Sequence, residues 1–148
     1  MENATVLPLT LSGTVVRGRG KGRGAGMPTA NIDVSDISVL PPYGVYASRV
    51  TVGTQVYAGV TNVGLRPTAD SDPEPTVETF IIGFEGSLYG EKISAELLEY
   101  LRPTVRMNSL DEVRAQVEKD ARKAVRLFGK QNPDKLRPAH ACIRNDIP

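Results

Sequence analysis

The sequence predicts a mainly β protein, an antiparallel barrel with a single helix at its C-terminal side. Three observations carry that expectation. Short apolar-rich stretches recur between Gly- and Pro-containing connections as far as residue 101. One long stretch with helical spacing follows them, beginning near residue 109. No comparable helical stretch separates one strand candidate from the next, so the βαβ alternation of a parallel sheet is missing. Closing an antiparallel sheet removes its exposed edges and leaves the helix to plug one end or cover one side.

The elements follow in order. Residues 9–17 alternate loosely and read as a strand. Gly18-Arg-Gly-Lys-Gly-Arg-Gly-Ala-Gly26 reads as a loop, since every second residue lacks a Cβ and costs backbone entropy to fix. Residues 45–52 and 55–63 form a hairpin around Gly53-Thr54. Asn62-Val-Gly-Leu-Arg-Pro-Thr68 reads as a shaped turn, and residues 65–75, with three prolines among acidic side chains, as an exposed loop. Strands are expected at 76–84 and 92–101. Ser109-Leu-Asp-Glu112 is a capping box opening a helix. Leu110, Val113, Val117, Ala121, Ala124 and Phe128 recur along one buried face. Glu118 and Arg122 pair on the other side, and Gly129 ends the helix. Residues 1–128 therefore read as one domain and 129–148 as a loosely ordered tail.

Composition narrows the function. Eighteen Lys and Arg against seventeen Asp and Glu leave a net charge of +1, unlike a wholly basic nucleic-acid binder. The one cysteine, Cys142, has no partner for an internal disulfide, and the one histidine, His140, cannot build a His/Cys zinc site. Both lie near the C-terminus, which argues against Ser–His–Asp or Cys–His catalysis. Met1-Glu-Asn3 lacks a basic signal region and residues 6–11 are too short for a membrane span, so a cytoplasmic chain is expected.

Three segments carry candidate chemistry. Arg17, Arg19, Lys21 and Arg23 stand among glycines with no acid between them, a composition suited to a phosphate chain. The Walker pattern fails because Gly22 follows Lys21, and a nonspecific RNA-binding Arg-Gly segment or a solvated loop would read the same way. In Pro28-Thr-Ala-Asn31, Thr29 and Asn31 offer two neutral oxygens on one side of an extended chain. They suit Mg²⁺ when substrate phosphates supply the charge, and they equally suit a side-chain-capped turn. Glu78 shares a strand face with Phe80 and Ile82. A carboxylate so placed is a candidate proton acceptor, or an edge charge that discourages aggregation. Asp70-Ser-Asp72 lacks the glycine and glutamate of a calcium loop.

Together these segments resemble riboflavin kinase of the ATP-dependent bacterial and eukaryotic type. The ordered blocks are Gly13-x-Val15-x-x-Gly18-x-Gly20, Arg23-x-x-Gly26-x-Pro28-Thr-Ala-Asn31, Gly44-Val-Tyr-Ala47, Asn62-x-Gly64-x-Arg66-Pro-Thr68, Val77-Glu-Thr79, Leu88-Tyr-Gly90 and Leu101-Arg-Pro103. The resemblance implies a six-stranded Greek-key barrel and transfer of the ATP γ-phosphoryl to the ribityl 5′-hydroxyl of riboflavin, giving FMN and ADP. It implies that Glu78 accepts the hydroxyl proton and that Thr29 and Asn31 hold Mg²⁺, or Zn²⁺ or Mn²⁺ in its place. Gly18, Gly20, Arg23 and Gly26 would join Thr29, Asn31, Ile81, Gly83 and Tyr89 around ATP. Arg102, Val105 and Met107 would line the flavin.

Phe80, Gly83 and Met107 depart from residues common in relatives, which often carry His or Tyr, Asp and Phe there. Too few residues precede Gly13 for the FMN adenylyltransferase domain of many bacterial members, so that activity is expected to be missing. The expected partners are riboflavin/FMN and ATP/ADP, with no nucleic acid or membrane, and the expected state is a monomer. Two alternatives remain open. One is a small RNA-binding barrel, which the 5% aromatic content disfavours. The other is a catalytically silent flavin-binding regulatory domain, which would have no need of Glu78.

Overall fold

The computed structural model describes residues 7–17, 29–66, 72–104 and 107–131. Six strands, β1 (Leu9–Val16), β2 (Ala30–Asp33), β3 (Gly44–Val52), β4 (Gln55–Arg66), β5 (Glu74–Ile81) and β6 (Lys92–Arg102), precede one helix, α1 (Leu110–Gln131). They close into an antiparallel barrel in the order β1-β2-β5-β4-β3-β6. Within it β6 returns beside β3 of the β3-β4-β5 meander, a Greek key.

Alternation along the strands divides the apolar side chains into two cores. Leu11, Val15, Ile32, Val50, Val63, Val77, Ile93 and Leu97 fill the barrel. Val45, Ala47, Ala58 and Val60 point outward from β3 and β4 and bury against Ala121, Ala124, Val125 and Phe128 of α1. The helix therefore covers the side of the barrel, and β3, covered on both faces, reads as a nearly continuous apolar run. Gly13 is required where β1 meets β2, because a Cβ there would lie 2.2 Å from the Asp33 carbonyl oxygen.

The structure corrects several boundaries. The short strand β2 occupies residues read as a loop end, since four residues give too little alternation to see. Asn62-Val-Gly-Leu-Arg66 is not a turn but the end of β4, paired to β5 from Asn62↔Glu78 to Arg66↔Glu74. Strand β5 stops at Ile81 rather than 84, because Gly83 turns the chain with a φ of 86°. Gly129 does not end α1, which runs to Gln131 with Gly129 buried, so packing outweighs the propensity cost of a helical glycine.

Leu110 is 54% exposed and takes no part in the buried face. The capping box forms one residue out of step. The Glu112 amide donates to Ser109 Oγ at 3.1 Å, but the Glu112 carboxylate accepts from the Asn108 amide at 2.9 Å. The Glu118–Arg122 pair is present at 4.0 Å. A short 3₁₀ turn at Ile37–Val39, capped by Asp36, was not expected. The glycine-arginine loop over 18–26 and the tail beyond 131 lie outside the described residues. Among the described residues no helix is long and apolar enough to cross a membrane.

Phe128 is fully buried where α1 meets the barrel. Phe128→Ala should lower the unfolding free energy by about 3–5 kcal/mol in urea titrations. A loss below about 1 kcal/mol would show that the helix is not a structural part of the barrel.

Candidate active site

Closure sets the site. Strand β2 pairs with β1 on one side and through Ala30↔Thr79 and Asn31↔Glu78 with β5 on the other. Strand β5 in turn sets Glu78 opposite Asn62 of β4. Val77, Thr79, Ala30, Thr61 and Val63 are buried on the inner face, so alternation places Asn31, Glu78 and Asn62, all half-buried, in one row on the outside. Phe80 shares the Glu78 face, as expected, and packs with Ile82 into the seam under α1. Glu78 thus stands at the edge of the helix-covered surface.

Two clefts form among the described residues, one lined partly by inner-face residues such as Ala30, Thr79 and Ile81 and one that includes Asn31 of the row. The first, about 370 Å³, is lined by Thr29, Thr79, Ile81, Phe84, Leu88 and Tyr89 among others. Its rim is held by backbone bonds, from Gly90 N–H to the Val15 carbonyl at 2.9 Å and from Val15 N–H to the Glu91 carbonyl at 2.8 Å. Phe84 packs edge-on against Tyr57 with centroids 5.7 Å apart, and the Arg17 guanidinium lies 4.7 Å over the Tyr89 ring. Its buried hydroxyl, Thr79, is 2.9 Å from Thr61 Oγ1, which donates to Ser48 Oγ at 2.9 Å. The second cleft, about 250 Å³, includes Arg17, Asn31, Asp33, Glu74 and Thr76.

Of the residues expected around a nucleotide, Thr29, Ile81 and Tyr89 come together in the first cleft. Asn31 faces the second, and Gly83 forms the turn after β5. Gly18, Gly20, Arg23, Gly26 and Val105 lie outside the described residues. Met107 is half-buried ahead of α1. Among the described residues no three His, Cys, Asp or Glu side chains cluster as a metal site. The Thr29 and Asn31 oxygens are hard, neutral donors that suit Mg²⁺ when a substrate brings the charge.

Arg102 pairs with Asp120. Its Nε bonds both Asp120 oxygens at 3.2 and 3.1 Å and its Nη2 bonds Oδ2 at 2.8 Å. Gln116 Nε2 adds a bond to Asp120 Oδ1 at 3.2 Å. Asp120 has no exposure at all. Sequence reasoning missed it although the signal was present, because Asp120 falls between Val117 and Ala124 in the apolar stripe, where a carboxylate needs a cation. At the start of β3, the Tyr46 hydroxyl donates to the Pro42 carbonyl at 2.6 Å. Burial, and secondarily Tyr100, raises the Tyr46 phenol above its ordinary value.

A closed six-stranded barrel with one covering helix, two clefts and an acid flanked by amides defines a class of small antiparallel barrels. The comparisons narrow it: residues 5–128 match the Flavokinase family, described as riboflavin kinase, and the chain belongs to that family.

The bifunctional riboflavin kinase/FMN adenylyltransferase of Bacillus subtilis (strain 168) is 37% identical over 133 residues, covering 86% of this chain and 42% of that protein. The RNA-binding riboflavin kinase RibR of the same strain is 38% identical over 128 residues, covering 84% and 55%. The chain therefore spans about two-fifths to just over half of these relatives. A crystal structure of riboflavin kinase from Trypanosoma brucei shares the fold, with a TM-score of 0.61 at 22% identity over 86% of this chain and 85% of that one.

Replacing Arg102 by Met strands a fully buried carboxylate. Arg102→Met should cost about 3 kcal/mol of unfolding free energy in urea, and adding Asp120→Leu should regain most of it. Equal stability of Arg102→Met and the native chain would mean that the ion pair contributes nothing.

Proposed function

We propose that this chain transfers the γ-phosphoryl of ATP to the 5′-hydroxyl of riboflavin, giving FMN and ADP, as a monomer in the cytoplasm. The family supports this reading, and the observation that carries it is the register Asn31↔Glu78, which joins the candidate metal ligand to the candidate base across two adjacent strands. The hydroxyl oxygen forms a bond to the γ-phosphorus while the bond to the β,γ-bridging oxygen breaks. That electron pair leaves with ADP and the hydroxyl proton passes to a Glu78 carboxylate oxygen.

Thr29 and Asn31 would hold Mg²⁺, which when bound neutralises phosphate charge; Zn²⁺ or Mn²⁺ would suit the same oxygens less selectively. Ile81 and Tyr89 bound the adenosine side in the first cleft, with Gly83 at its turn, while Gly18, Gly20, Arg23 and Gly26 cover the phosphates. Arg102, whose guanidinium is also paired with Asp120, would contact the flavin together with Val105 and Met107.

Alignment of the two substrates supplies much of the rate, because the chemistry itself asks for little beyond position and charge neutralisation. The RNA-binding reading keeps one support, the name of one relative. A gel-shift titration with labelled RNA at physiological salt tests it, and retention of RNA would favour it.

Riboflavin incubated with the chain and Mg-ATP should yield FMN on chromatography, and EDTA should abolish it; no FMN would overturn the assignment. Glu78→Gln should cut kcat by roughly 10²-fold or more while riboflavin and ATP still bind. A kcat within a few-fold of the native chain would remove Glu78 from the role of base. Thr29→Ala should raise the Mg²⁺ concentration needed for half-maximal rate, and an unchanged Mg²⁺ dependence would reject Thr29 as a ligand.

A further inference from the structure

We infer that Asn62, clamped by Thr104, is a positioning residue that orients the Glu78 carboxylate, an inference that rests on the kinase reading above. Asn62 belongs to a motif to which that reading gives no role. It is directly opposite Glu78 in the β4–β5 ladder and on the same outer face. Side chains so paired have Cβ atoms about 4.5–5.5 Å apart, within reach of an amide and a carboxylate.

The two groups are complementary. An ionised carboxylate only accepts hydrogen bonds, and a primary amide brings two N–H donors on one nitrogen. Asn62 Oδ1 is already engaged, accepting from Thr104 Oγ1 at 2.8 Å. That bond fixes the amide plane and leaves the nitrogen as the available donor. The nitrogen lies beside Gly64 on β4, where, among the described residues, an added Cβ would meet Asn62 Nδ2 at 3.9 Å.

Thr104 is itself held in place. It stands two residues after Arg102, whose guanidinium grips the buried Asp120 of α1 and also bonds the Pro103 carbonyl at 3.3 Å. A chain of contacts thus runs from α1 through Arg102 and Thr104 to Asn62, across from the base. A base held in one orientation loses less of its effectiveness to misaligned rotamers, and small misplacements in such sites cost large factors in rate.

The experiment is steady-state kinetics of FMN formation by the full chain and its variants, with thermal melts on the same samples. Asn62→Ala should lower kcat about tenfold to a hundredfold, with the KM for ATP little changed. Thr104→Val, at an exposed position, should melt like the native chain and lower kcat in the same sense, and Thr104→Ser should restore it.

In the Glu78→Gln background Asn62→Ala should add almost nothing, since a residue acting through the base has no effect once the base is gone. The inference is overturned if Thr104→Val keeps native kcat, or if the Asn62→Ala and Glu78→Gln losses multiply in the double variant. A native chain that forms no FMN overturns the kinase reading itself and this inference with it. Native turnover with unaffected variants overturns the inference alone.

Discussion

The shortest strand is the one on which the site depends. Strand β2 has four residues, yet it closes the barrel by bonding β1 on one edge and β5 on the other. Without it, β1 and β5 would each present an unpaired edge, and no ladder would hold the Thr29–Asn31 segment against Glu78. Closure also fixes register. A slip of one residue in the β2–β5 ladder would turn Asn31 inward and Ala30 outward, burying an amide in the apolar barrel. The inward packing of Ala30 and Ile32 resists that slip, so the core enforces the position of the site.

The second constraint comes from outside the barrel. Helix α1 covers β3 and β4, with Phe128, Ala121 and Ala124 against Val45, Ala47 and Val60. Small residues at Ala47, Ala58, Ala121 and Ala124, all fully buried, allow the close approach. Within this apolar seam sits one buried carboxylate, Asp120, and its partner Arg102 comes from the end of β6. A charge pair removed from water needs good geometry and further hydrogen bonds to be tolerated, which the Arg102 fork and Gln116 provide. The pair locks the entry of the β6–α1 connection, and Thr104 within that connection reaches Asn62. Packing of the helix is therefore coupled to the outer row where Glu78 stands.

Much of this was legible in the residues. The hairpin at 45–63, the strands near 9–16, 76–81 and 92–102 and the helix showed because each carries enough apolar positions to display its period. Other features gave no local signal. Four residues of β2 are too few to show alternation. Gly64 and Pro67 made the end of β4 look like a turn, although a barrel strand can extend past its hairpin partner when a third strand bonds its far end, as β5 does from Asn62 to Arg66. Gly129 looked like a terminator because helix propensity is a local preference, and burial against the barrel overrode it.

The sequence by itself determined the class of fold, the buried stripe of α1, the family and the identities of Glu78, Thr29 and Asn31 as the residues to watch. Those follow from residue type, short-range spacing and ordered motifs, all of which are properties of neighbours in the chain. The tertiary structure alone decided that Asn31, Glu78 and Asn62 share one outer row and that Arg102 is engaged by Asp120. These depend on strand order, register and the seating of the helix. They are set when the barrel closes and buries its two cores, because cross-strand contacts join residues far apart in the chain whose pairing no local pattern encodes.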